Sequence, residues 1–140
     1  MKFRYSYLKY IFLFLVGGFT YGIVEMLYKG GTHISMILAG GVCFLLIGFM
    51  NQRKRSMSLV SEMLISGGII TIIEFVTGYF VNIRMNLHVW DYSHIPYNYK
   101  GQICLIFSCI WVVLSLGAIL LDDYINYWLL GGKKPHYKIL

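Results

Sequence analysis

Four long apolar runs separated by short polar breaks leave this chain few folds to choose from. They extend over about Tyr10 to Tyr28, His33 to Met50, Ser58 to Ile83 and Gln102 to Leu121. Each reaches or approaches the roughly 20 residues an α-helix needs to cross a bilayer core about 30 Å thick. Hydrophobic residues make up 58% of the 140, against about 45–50% in an ordinary soluble domain. The expectation is an all-α integral membrane fold, a four-transmembrane-helix bundle forming a single membrane domain over residues 1–140. A loop at 84–101 and a tail at 122–140 complete it. The N-terminal MKFRYSYLKYIFLFLVGG begins like a signal peptide. The apolar run continues to Val24 with no small-residue cleavage pattern and more spans follow, so it reads as a retained first helix.

The basic residues orient the bundle. Lys2, Arg4 and Lys9 precede helix 1, Arg53, Lys54 and Arg55 lie between helices 2 and 3, and Lys133, Lys134 and Lys138 follow helix 4. The other two connections hold Lys29, and Arg84 with Lys100. By the positive-inside rule the first three groups are cytoplasmic, which places both termini inside and the aromatic-rich 84–101 loop outside a cell membrane. The net charge of +6 is thereby read as topology, and no nucleic-acid partner is expected.

Cys43, Cys104 and Cys109 all fall in apolar runs without a paired spacing, so they read as packing residues and neither a disulfide nor a metal site is expected. No cofactor signature is present. The sequence also lacks the G-x-x-x-x-G-K-[ST] phosphate loop, so this chain is not itself an ATPase. The dinucleotide-binding, zinc-protease and serine-hydrolase motifs are missing as well, which leaves enzymatic activity open.

Polar residues within the spans carry the remaining information. Glu25 and Glu74 lie about 22 and 24 Å along helices 1 and 3 at 1.5 Å per residue, in the outer half of the membrane. A charge at mid-bilayer costs roughly 2.5–3.5 kcal/mol on insertion scales, so each must face protein or water and find a partner. Gly18, Gly22, Glu25 and Lys29 form one stripe, and Gly67, Thr71, Glu74, Gly78 and Asn82 another. Small residues beneath each acid let helices approach and turn the carboxylates inward, towards one shared polar cluster. Cys104, Ser108, Trp111, Ser115, Ala118 and Asp122 make a third, weakly polar stripe. Each feature has a plainer account. Glu25 can pair with Lys29 one turn on, His33 can be a helix-start residue, and Trp90 with the loop tyrosines can be an interfacial belt. Glu74 has no basic residue one turn away and needs a tertiary partner.

Two alignments suggest a 2+2 parallel repeat: Gly18 and Glu25 against Gly67 and Glu74, and Gly40-Gly41-Val42-Cys43 against Gly101-Gln102-Ile103-Cys104. Chance similarity among apolar segments is the rival.

Glu25-Met26-Leu27-Tyr28-Lys29-Gly30, His33-Ile34-Ser35-Met36, Thr71-Ile72-Ile73-Glu74-Phe75, Trp90-Asp91-Tyr92-Ser93 and Gly101-Gln102-Ile103-Cys104 together resemble the bacterial family named Putative ABC-transporter type IV. The likeness runs from about Gly17 to Asp122, with Lys29 where an arginine is expected and Ile34 where an aromatic is. It implies a multi-pass membrane protein tied to transport. With four spans, it also implies a homodimer or a separate membrane or ATPase partner. The family pattern falls on Glu25, His33, Glu74, Asn82, Trp90, Asp91, Asn98 and Gln102, which become the candidate ligand-binding set; no catalytic residue is assigned. A transport or ligand-binding component with a polar outer-half site is the leading reading. An intramembrane enzyme acting on a lipid or lipid-linked substrate and a structural or accessory subunit are the rivals.

Overall fold

The structure, a computed structural model, describes residues 6–53 and 56–140. Lys2, Arg4, Lys54 and Arg55, which entered the topology reading, lie outside the described residues. Among the described residues, four helices are long and apolar enough to cross a membrane. They are α1 (Ser6–Lys29), α2 (Ile34–Arg53), α3 (Leu59–Gly78, continued as a π-helical turn over Tyr79–Arg84) and α4 (Leu105–Trp128). The 85–104 connection holds a two-stranded antiparallel hairpin, β1 (Asn98–Tyr99) and β2 (Ile103–Cys104).

Local chemistry sets the helix ends. α1 stops where Gly30 turns left-handed at φ +79 and its N–H caps the Met26 carbonyl at 2.8 Å, a conformation a glycine adopts without Cβ strain. α3 starts at Ser58, whose hydroxyl accepts the Ser61 N–H at 3.2 Å as an N-cap does. Two further N–H groups at this end, those of Leu59 and Val60, donate to the Lys138 and Ile139 carbonyls at 2.6 and 3.3 Å. The tail thus returns to satisfy donors that a helix start leaves open.

α4 differs from expectation at both ends. It begins at Leu105, after Gln102 and the strand Ile103–Cys104, because the Gln102 side chain is held by the loop, accepting from Asn82 at 2.8 Å and donating to the Lys100 carbonyl at 3.0 Å. It runs past Leu121 to Trp128. Asp122 resembles a span terminus by its charge, yet both Asp122 and Ile125 are buried towards the other helices, so the helix continues and the tail is confined to residues after it.

The helices pack as two hairpins, α1 with α2 and α3 with α4, with α2 making most of the contact between the hairpins. Glycines set the close approaches. A Cβ on Gly18 would stand 2.6 Å from the Ile37 carbonyl oxygen, and one on Gly67 would stand 2.9 Å from the Val112 Cα, distances no side chain tolerates. α1 touches α4 sparsely. That seam is bridged near the loop by the Tyr21–Trp111 and Tyr28–Phe107 ring pairs, with centroids 5.8 and 6.5 Å apart. At the opposite end Leu13, Phe44 and Ile125 form a buried apolar cluster that closes it.

Candidate functional site

Glu74 projects from α3 into the bundle, 4% exposed. One carboxylate oxygen accepts the Tyr92 hydroxyl at 2.9 Å and the other the Trp111 indole N–H at 2.9 Å. The tertiary partners that its sequence position demands therefore come from the loop and from α4. Tyr92 is aimed by stacking on Phe107, centroids 4.7 Å apart and planes 7° from parallel. Burial, then the Glu74 charge, raise the Tyr92 pKa well above the usual tyrosine value, so its hydroxyl remains a donor over the physiological range.

Beneath Glu74 lies a cavity of about 400 Å³ with walls from all four helices, including Tyr21, Met36, Cys43, Ile70, Trp111 and Leu114. Its lining is overwhelmingly apolar, and among its wall residues Glu74 alone is an Asp, Glu, Lys or Arg. Thr20 and Val24 of α1 and Leu114 and Gly117 of α4 line it yet are exposed. The cavity thus opens sideways between α1 and α4, below the Tyr21–Trp111 bridge.

Glu25 is also buried, 5% exposed. Its carboxylate pairs with Lys29 at 2.7 Å and accepts the Thr32 hydroxyl. The two acids are near enough for Glu25 and Lys29 to act electrostatically on Glu74, and Tyr21 lies in the field of both acids. Each carboxylate nevertheless has its own hydrogen-bond partners. His33 is turned to the start of α2, its Nδ1 meeting the Ser35 hydroxyl at 2.7 Å and accepting the Ser35 N–H at 3.2 Å.

The other candidates build the loop. Asn82 donates to Gln102 and its side-chain oxygen accepts the Val89 N–H at 2.7 Å. Trp90 is buried against Gly78 and donates its indole N–H to the Gln102 carbonyl at 3.0 Å. Asn98 donates to the Ile95 carbonyl at 2.8 Å and accepts the Gly101 N–H at 3.0 Å. Asp91 accepts the Ser93 N–H at 2.8 Å, a bond that holds its carboxyl below the usual range. These residues form one scaffold that carries Tyr92 to Glu74.

A second polar region, at the end of the bundle where α1 begins and α4 ends, lies outside the sequence candidates. Asp123 accepts from Asn51 at 2.7 Å and from the Tyr137 hydroxyl at 2.8 Å, beside a cavity of about 440 Å³ that also meets Lys9, Glu62 and Lys138. Asp122 is 1% exposed and packs on Gly48. Both of its carboxylate oxygens lack a hydrogen-bond partner, although the Asn51 and Gln52 amides act on it from nearby. The signal for it was present in the sequence: Asp122 continues the Trp111, Ser115, Ala118 stripe at helical spacing. Among the described residues no group of three or more His, Cys, Asp and Glu side chains is placed to hold a metal ion.

No curated protein and no solved structure matches the chain. The family described as Putative ABC-transporter type IV matches residues 4–131. With four membrane-spanning helices and that match over most of its length, the chain belongs to the Putative ABC-transporter type IV family and is an ABC-transporter-related multi-pass membrane protein.

Proposed function

We infer that the chain is a ligand-binding membrane component of a transport system, with its site where Glu74 meets the apolar cavity. The observation that carries this reading is a buried carboxylate that is the charged end of an otherwise apolar space of about 400 Å³. That volume lies within the roughly 300–1,000 Å³ of small-molecule sites, which combine apolar walls with a few polar groups. The family's description supports a transport role. Four spans without a phosphate loop fit a component that works with another protein, such as a separate ATPase, or that assembles as two copies. The Lys/Arg distribution supports cytoplasmic termini in a cell membrane, so that the 85–104 loop and Glu74 face the outer side.

The geometry favours binding over catalysis. Acid/base chemistry near neutral pH most often draws on a His or a second carboxylate beside the ligand; the cavity walls hold neither besides Glu74, and Glu25 is occupied by Lys29 and Thr32. Screening the purified protein in lipid nanodiscs by thermal shift against ions, small solutes and lipids tests the proposal. A ligand should raise the unfolding midpoint of wild type and fail to do so for a Glu74→Gln variant that melts normally without ligand. Equal shifts for both proteins with every stabilising compound would refute a site at Glu74.

A further inference from the structure

Resting on that site, we propose that its ligand is a lipophilic monocation that enters from the membrane through the opening between α1 and α4. The charge state of the site selects it. Lys29 neutralises Glu25 at 2.7 Å, whereas the groups bonded to Glu74, Tyr92 and Trp111, are neutral donors. They stabilise an ionised carboxylate without cancelling its charge. One donor reaches each oxygen, and an ionised carboxylate has about four lone-pair sites, so acceptor capacity remains. When ionised, a buried acid whose bonded partners carry no positive charge attracts a cation and repels an anion, and a bound cation in turn favours the ionised form.

The walls set the rest of the ligand. Met36, Ile70, Ile73 and Leu114 offer hydrocarbon, which rejects a strongly hydrated ion such as a metal cation or a small ammonium, because nothing in these walls replaces its water. Tyr21 and Trp111, in ring contact beside Glu74, offer aromatic faces to a diffuse positive charge, an interaction that strengthens when water is excluded. Entry is from lipid: the exposed lining residues Thr20, Val24, Leu114 and Gly117 all belong to apolar spans. A compound with an apolar body and one delocalised positive charge meets every condition.

Tetraphenylphosphonium and its anionic counterpart of the same shape, tetraphenylborate, test this on full-length protein in nanodiscs by equilibrium dialysis. The phosphonium should bind saturably near one per chain and the borate should not. Glu74→Gln should weaken phosphonium binding at least ten-fold, while Glu74→Asp, which keeps the charge, should retain most of it. Gly117→Leu provides an independent arm. A Cβ on Gly117 meets nothing within 4 Å, so the new side chain can obstruct the opening without displacing a helix and should abolish binding. Equal binding of both ions, or undiminished phosphonium binding by Glu74→Gln, would overturn the cation assignment. The broader reading would still stand if Gly117→Leu removed that binding. Failure of both ions to bind saturably would overturn the cation assignment, and the broader reading would then rest on the thermal-shift screen alone.

Discussion

Glu74 and Asp122 are both buried acids, but their surroundings differ. Each Glu74 oxygen accepts a hydrogen bond from a neutral donor, whereas Asp122 sits at 1% exposure with the Asn51 and Gln52 amides nearby but neither oxygen in hydrogen-bond geometry with a donor. Replacing Glu74 by Leu strands the Tyr92 hydroxyl and the Trp111 N–H, and each stranded buried donor costs about 1–3 kcal/mol. Glu74→Leu should therefore lower the unfolding midpoint clearly while Glu74→Gln stays close to wild type in a thermal melt. Asp122→Asn should act in the opposite sense. It removes a charge that burial opposes and should stabilise the fold by on the order of 1–3 kcal/mol; a destabilised variant would show that the carboxylate is held by partners. Asp91 contributes a pH dependence. Its pKa is depressed by the Ser93 N–H, so its contribution to loop order is present above the unfolded carboxylate pKa and is lost as pH falls through the lower folded value. Proteolysis within 85–104 should accelerate on acidification in wild type, and Asp91→Asn should flatten that dependence.

At the level of elements, the tail and the start of α3 stabilise each other. Lys138 and Ile139 supply carbonyls to Leu59 and Val60, and Tyr137 bonds Asp123. Removing residues 135–140 should speed amide exchange at Leu59 and Val60 and leave the middle of α1 unchanged; Tyr137→Phe should cost about 1 kcal/mol. Nothing in the tail's composition announces this contact, because it depends on backbone carbonyls, which every residue type has. The four spans were legible because about 20 apolar residues in a row have one solution in lipid. The burial of Glu25 and Glu74 was legible for the same energetic reason. Their partners were legible only where they are local, as with Lys29. Tyr92 and Trp111 are 18 and 37 residues from Glu74, and no periodicity links them to it. The end of α4 lies beyond the expected Leu121 because Asp122 and Asp123 look like the start of a tail, while the place of Asp122 on the Trp111 stripe points inward.

For the whole molecule, orientation is a direct measurement. On a background lacking Cys43, Cys104 and Cys109, a cysteine at exposed His94 should react with a membrane-impermeant maleimide from outside intact cells, and one at exposed Lys134 only after permeabilisation. The reverse pattern would invert the bundle. The two-hairpin arrangement adds a consequence of its own. Because α1 and α4 leave a gap at the depth of Thr20 and Gly117, the proposed site would sample the hydrocarbon of the bilayer as its reservoir, and the mole fraction of a compound in lipid would govern its occupancy. Doubling the buffer volume around a membrane-partitioned compound should then scarcely alter occupancy, while doubling the lipid at constant protein should dilute it, as in an extraction between two phases.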